Sequence, residues 1–244
     1  MEQGKAASIE ELALSLDLIV VATATPDFNG FPATACLVQD RLGAKNAGAL
    51  DVSAGCTGFV YAMDTAAGIL VMGKERKRAL VIGAEILTRI TDWDDRASCV
   101  LFGDGAGAVI LEKTTAPNEG KGKRGLLRSV LGADGSGSEY LINRHGGTKN
   151  PYKKGDIVES APHIEMNGRA VYNFAVKAVT DTIERLLREE GVGIDDLARI
   201  VPHQANARIV QAAAKRLSIP EEKFYLSLPL RRIRRLTSAA SIYP

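Results

Sequence analysis

The chain has 244 residues, 45% of them hydrophobic and 25% charged, with a formal net charge of +2. That balance suits a globular protein with one large core or two modest ones, and it gives no basis for binding nucleic acid or a membrane surface. Three scattered cysteines, Cys36, Cys56 and Cys99, make neither a disulfide framework nor a zinc site. No apolar run approaches the roughly 20 residues of a membrane span, and the N-terminus lacks the apolar core and cleavage site of a signal peptide, so a cytoplasmic protein is expected.

Leu16 to Ala24 (LDLIVVATA) is a nearly continuous apolar run, as expected of a strand buried on both faces of a parallel sheet. Thr25 to Gly30 forms a turn, Pro32 fits the first turn of a helix, and Ala33 to Leu42 continue that helix. Gly48 to Val52 is a second strand. It delivers Cys56 to the start of a long helical pattern through Phe59, Met63, Ala66 and Leu70. Strand, tight turn and helix with a thiol at the corner place that thiol against the positive end of a helix dipole, where a thiolate nucleophile is favoured. Gly55 and Gly58 let the backbone bend sharply and let a substrate come close. A small buried cysteine packing strand against helix is the alternative.

Arg78 to Gly83 is a third strand, and Val100 to Phe102 and Ala108 to Glu112 bracket a glycine-rich turn. Gly103 to Gly107 is not a dinucleotide loop, because β-branched residues rather than a helix follow it; it is read as a closely packed turn. Pro117 to Arg124, Gly132 to Ser138 and Lys149 to Asp156 are connecting loops. A helix over Val171 to Arg188 ends at Gly191, a strand covers Ala198 to Val201, and a helix covers Ala207 to Leu217. The strand-to-helix corner before this last helix carries His203, as the earlier one carries Cys56. The pattern is α/β, in two similar halves. His145 and His163 have no partner motif.

Asp51 to Phe59 (DVSAGCTGF), Phe102 to Ala108 (FGDGAGA), Met166 to Arg169 (MNGR), Val201 to Ile209 (VPHQANARI) and Thr237 to Ser241 (TSAAS) resemble 3-oxoacyl-[acyl-carrier-protein] synthase III. The resemblance implies a thiolase-like fold of two α/β halves in an αβαβα layered arrangement. Residues 1–115 would form the half with the nucleophile, 116–165 the connecting loops and strands, and 166–244 the half with the histidine. It also implies an acyltransferase that condenses an acyl-CoA, usually acetyl-CoA, with malonyl-acyl carrier protein through an acyl-Cys56 intermediate, needing no metal or other cofactor. His203 would hydrogen-bond the enolate oxygen, together with an asparagine just before TSAAS.

Arg96 matches the arginine that packs against the CoA adenine, with a surface salt bridge as the alternative. Phe31 matches the phenylalanine that crosses a homodimer to close the partner's acyl pocket, with ordinary core packing as the alternative. Arg208 fits a docking site for an acidic carrier protein, although a solvated helix face looks the same. Asn206 is read as a capping residue.

Three departures from the family are expected to matter. The family extends beyond this sequence at both ends, so the fold is read as incomplete at both termini. Ser227 to Leu236 (SLPLRRIRRL) differs from the family, and Leu236 occupies the position of the catalytic asparagine. The expected origin of that segment is a pair of compensating reading-frame shifts, with a genuinely divergent loop as the alternative. Weak or no turnover is expected. A polyketide starter-unit synthase and a non-catalytic fragment that binds acyl-CoA or a sister subunit are the competing readings.

Overall fold

A computed structural model describes residues 8–114, 125–155 and 163–226. Pro117 to Arg124, the Ser227 to Leu236 segment and the TSAAS motif lie outside these residues. Contacts group the chain into two compact units. Of the described residues, one takes those up to Glu85 and those within Gly105–Ser129; the other takes Ile86–Asp104 and those from Val130 to 226.

The first unit is built on a four-stranded sheet, in the order β2-β1-β3-β4, of β1 (Leu18–Ala22), β2 (Gly48–Val52), β3 (Arg78–Ile86) and β4 (Asp104–Glu112). β1 pairs in parallel with β2 on one side and β3 on the other. All five residues of β1 are buried, as a central strand covered on both faces requires. Alternate side chains divide between two cores. Leu18, Val20 and Ala22 pack with Ala62, Ala66 and Leu70 of α3 (Gly58–Met72). Ile19 and Val21 pack with Ala13 of α1 (Ile9–Leu14) and Ala35 of α2 (Thr34–Leu42).

Helix α3 with the turn before it, Gly55–Met72, is long and apolar enough by length and composition to cross a membrane. In this unit, however, it lays a stripe of small residues, Gly58, Ala62 and Ala66, against the sheet. Its C-terminal carbonyls are held by a lysine from the far end of β4. Lys113 Nζ donates to the oxygens of Leu70 (3.0 Å), Gly73 (2.6 Å) and Lys74 (3.1 Å). A cation there satisfies orphan carbonyls and opposes the helix dipole. Replacing Lys113 with Met is expected to lower stability by about 1–2 kcal/mol in urea unfolding.

Three expectations are corrected. Helix α2 begins at Thr34, so Pro32 lies outside it, joined to Phe31 by a cis peptide bond. The glycine-rich segment is not a turn, since Asp104 to Ala108 are the first half of β4. Gly105, Gly107, Val109 and Leu111 share the less exposed face of that strand, and the glycines hid the alternation in the sequence. Val100 to Phe102 forms no strand.

In the second unit, β5 (Leu141–Asn143) and β6 (Ile164–Met166) pair antiparallel. They precede α4 (Gly168–Glu190), which Asn167 caps and Gly191 ends in a left-handed conformation with φ +64°. Helix α4 packs against α5 (Ala207–Leu217). Their core joins Ile183 to Val210, Ala214, Ile219 and Phe224. The strand expected over Ala198 to Val201 is reduced to one parallel bridge, Ile200 with Phe224. The Ile200 N–H donates to the Lys223 carbonyl (2.7 Å), and the Tyr225 N–H to the Ile200 carbonyl (2.8 Å).

Candidate active site

The corner that carries Cys56 is built as its residue types require. β2 ends at Val52, a short 3₁₀ turn spans Gly55–Thr57, and α3 follows directly. Gly55 has φ +50°, a left-handed conformation that a side chain would strain. A Cβ on Gly58 would sit 3.3 Å from the Cβ of Ala22, so the glycine also lets α3 approach β1 closely. Cys56 itself is exposed, which overturns the buried packing role. Thr57, the N-cap residue of α3, makes no side-chain cap bond and turns its hydroxyl to the Ala54 carbonyl (2.9 Å) instead. The positive end of the helix dipole lies at this turn.

One residue of the quoted cysteine motif has a role that its position in the sequence did not reveal. Asp51, on β2, accepts from the backbone N–H of Thr34 (2.7 Å) and of Ala35 (2.8 Å), and so caps α2 from a neighbouring strand. An acid inside an otherwise apolar strand was the signal. Phe31, in the loop between β1 and α2, is 89% exposed, which overturns core packing within this chain.

In the second unit His203 stands in the loop before α5. Its Nδ1 is shut off from solvent and has no hydrogen-bond partner among the described residues. Burial lowers its pKa to about 4, so the ring is neutral at physiological pH. The loop is held by Gln204, which is buried and donates from Nε2 to the carbonyls of Pro202 (2.9 Å) and Tyr225 (3.0 Å). Asn206 is the N-cap of α5, accepting from the Arg208 N–H (3.0 Å). Arg208 itself is exposed on the first turn of that helix.

Arg96 is exposed on a tight turn and, among the described residues, forms no ion pair. The turn is ordered by acids on either side. Asp92 accepts from the Asp94 N–H (2.9 Å), and Asp95 accepts from the Ala97 N–H (3.0 Å) and the Ser98 hydroxyl. His163 lies 3.8 Å from Asp92, and His145 contacts Asn150. Among the described residues no group of three or more His, Cys, Asp or Glu could hold a metal ion. Leu236 lies outside the described residues.

A strand–turn–helix corner bearing an exposed thiol, and a helix-capping loop bearing a histidine whose Nδ1 is enclosed, are set in a thiolase-like α/β fold. Comparison with known proteins identifies the family. The model of 3-oxoacyl-[acyl-carrier-protein (ACP)] synthase III matches residues 50–135, and that of its C-terminal part matches residues 187–243. A β-ketoacyl-[acyl-carrier-protein] synthase III of Clostridium acetobutylicum is 44% identical over 213 residues, covering 87% of this chain and 62% of the relative. The crystal structure of 3-oxoacyl-[acyl-carrier-protein] synthase III from Aquifex aeolicus superposes with a TM-score of 0.79 and 37% identity, covering 98% of this chain and 74% of that one. A priming β-ketosynthase from the R1128 polyketide biosynthetic pathway gives a TM-score of 0.76 and 31% identity, covering 94% of this chain and 65% of that one. The chain belongs to the 3-oxoacyl-[acyl-carrier-protein] synthase III family. It spans less than two thirds of the length of the curated relatives it matches, 62% for the Clostridium acetobutylicum protein.

Proposed function

We propose that the chain carries the two chemical groups of a priming condensing enzyme, which joins an acyl-CoA to malonyl-acyl carrier protein in the first step of fatty acid synthesis. The observation that carries this reading is the exposed Cys56 thiol on the strand–turn–helix corner of a chain in this family. The Cys56 thiolate attacks the acyl-CoA carbonyl, and the acyl–sulfur bond to CoA breaks, releasing CoA as its thiolate, which takes a proton from water. Malonyl-acyl carrier protein then loses CO₂. The enolate carbon attacks the acyl-Cys56 carbonyl, the carbon–sulfur bond to Cys56 breaks, and a 3-oxoacyl-carrier protein leaves with the thiolate restored.

His203 serves the second half-reaction. A neutral imidazole keeps one ring N–H to donate to the enolate oxygen. The chain divides this work as the sequence suggests, with residues 1–115 supplying the nucleophile, 116–165 the connection and 166–244 the histidine. Exposed Arg96 receives the CoA adenine, and exposed Arg208 receives the acidic carrier protein. Phe31 closes the acyl pocket of a second copy in a homodimer; its exposure in the single chain supports that role. With Leu236 in place of an asparagine, decarboxylation is the weaker half-reaction, because leucine donates no hydrogen bond. The substrates are cytoplasmic, and the protein is placed with them. The similarity to the polyketide priming synthase supports a second reading, in which the acyl group is a polyketide starter.

The test is the intact mass of the full chain after brief incubation with acetyl-CoA. One acetyl group, located on the Cys56 peptide, is the expected result. No adduct at Cys56 overturns the reading and leaves a chain that binds thioesters or a sister subunit without turnover.

A further inference from the structure

The loop from Ala24 to Ala33 carries two exposed aromatic residues, Phe28 (51%) and Phe31 (89%), and gains nothing from burying them in its own unit. What orders it is a set of side-chain acceptors rather than a backbone ladder. At its start, the Ala24 N–H donates to Oε1 of Glu85 (2.8 Å) and the Thr25 hydroxyl donates to Oε2 of the same carboxylate (2.7 Å). The Thr25 N–H donates to the Thr23 hydroxyl (3.0 Å). Midway, the Asp27 N–H donates to the Thr34 hydroxyl (3.2 Å). At its end, the Thr34 and Ala35 N–H groups share the Asp51 carboxylate. Glu85 belongs to β3 and Asp51 to β2, the two strands that flank β1.

Glu85 is only 4% exposed, and burial pushes its carboxyl up from the ordinary glutamate range while the donors around it pull it down. Burying a carboxylate is costly unless it is hydrogen-bonded, so its retention at the end of the sheet calls for a task. The residues it holds are the first two of this loop. Asp51, at the other end, lies on the strand that continues into the Cys56 turn, so one element sets both the nucleophile and the exit of the loop.

We infer that Asp51 and Glu85 are positioning residues that clamp the two ends of the Phe31 loop to the strands flanking β1, and through that loop set the length of acyl group accepted by Cys56 of a second copy. The acyl-length part rests on the proposed condensing function; the clamp does not. Neither residue touches the reacting atoms. Each acts on the frame that presents Phe31.

Amide hydrogen exchange on the full chain tests the clamp. In Glu85→Gln and Asp51→Asn an amide NH₂ replaces an accepting oxygen and faces a donor; Thr25→Val removes the loop's own hydroxyl and leaves both carboxylates intact. Exchange at Ala24 is expected to quicken about ten- to hundredfold in Glu85→Gln and Thr25→Val, and at Thr34 and Ala35 in Asp51→Asn. Ala66 and Leu70 in α3 should keep their wild-type rates. Wild-type rates in the loop, or a rise shared equally by α3, overturn the clamp. The rate of Cys56 acylation by acetyl-CoA relative to hexanoyl-CoA tests the acyl-length role. A shift of about tenfold in that ratio is expected in Glu85→Gln. Equal loss with both thioesters, or an unchanged ratio, overturns the positioning role. If the wild type takes an acyl group from neither thioester, the condensing function fails, and the exchange rates still decide the clamp.

Discussion

Cys56→Ala is expected to abolish acyl transfer, lowering condensation on the order of 10⁴- to 10⁶-fold, the scale seen when an enzyme loses its nucleophile. The effect should be confined to chemistry. Cys56 is exposed, so shortening its side chain leaves no cavity, and stability should change by no more than about 0.5 kcal/mol. Intact mass after incubation with acetyl-CoA checks the first statement, and urea unfolding the second. Cys36 is also exposed and serves as the internal control. It lies in the first turns of α2, whose initial N–H groups are occupied by Asp51. An acetyl group that persists in the alanine variant and maps to Cys36 would move the acyl-enzyme away from the corner.

His203→Ala should separate the two half-reactions. Acylation of Cys56 is expected to continue, whereas decarboxylation of malonyl-acyl carrier protein falls on the order of 10²- to 10³-fold, as when one oxyanion donor is removed. Acyl-enzyme then accumulates on mixing with both substrates. Equal loss of both half-reactions would show that His203 acts through the fold instead.

The lowered pKa adds a signature in pH. Burial holds the folded-state value at about 4, below the ordinary 6.5, so between these values the unfolded chain binds a proton that the folded chain refuses. The cost of that burial is absent above pH 6.5 and grows as pH falls toward 4, reaching about 3 kcal/mol at roughly 1.4 kcal/mol per pK unit. Wild type should therefore lose more stability than His203→Ala over that acid window. Decarboxylation should show no inflection from His203 between pH 5 and 8. An inflection near 6.5 that disappears in the variant would refute the neutral, enclosed imidazole.

Much of the first unit was legible because its signals are local. A run of apolar residues with no alternation marks a strand covered on both faces, and β1 is one. The corner at Cys56 was legible because the turn, the glycines and the helix that follows are contiguous. Gly191 at the end of α4 and Asn206 at the start of α5 were legible for the same reason, since a helix cap depends on residues within a turn of it. The start of α2 was not. It has no local side-chain cap and borrows Asp51 from another strand, so nothing beside it announced Thr34 rather than Ala33. The glycine-rich stretch misled because glycine carries no side chain from which to read an alternating pattern, and β4 runs straight through it.

The sequence by itself determined the α/β class, the strand–turn–helix corner at Cys56, the histidine motif and the family, because each is written in neighbouring residues. Only the tertiary structure decided what surrounds them. Cys56 is exposed at its corner, and His203 Nδ1 is enclosed with no hydrogen-bond partner among the described residues. Phe31 stands out from its unit, and Glu85 and Lys113 reach across long stretches of chain to hold a loop and a helix end. Burial and long-range hydrogen bonds depend on segments that meet only when the sheet forms, and local patterns along the chain carry no record of which segments those are.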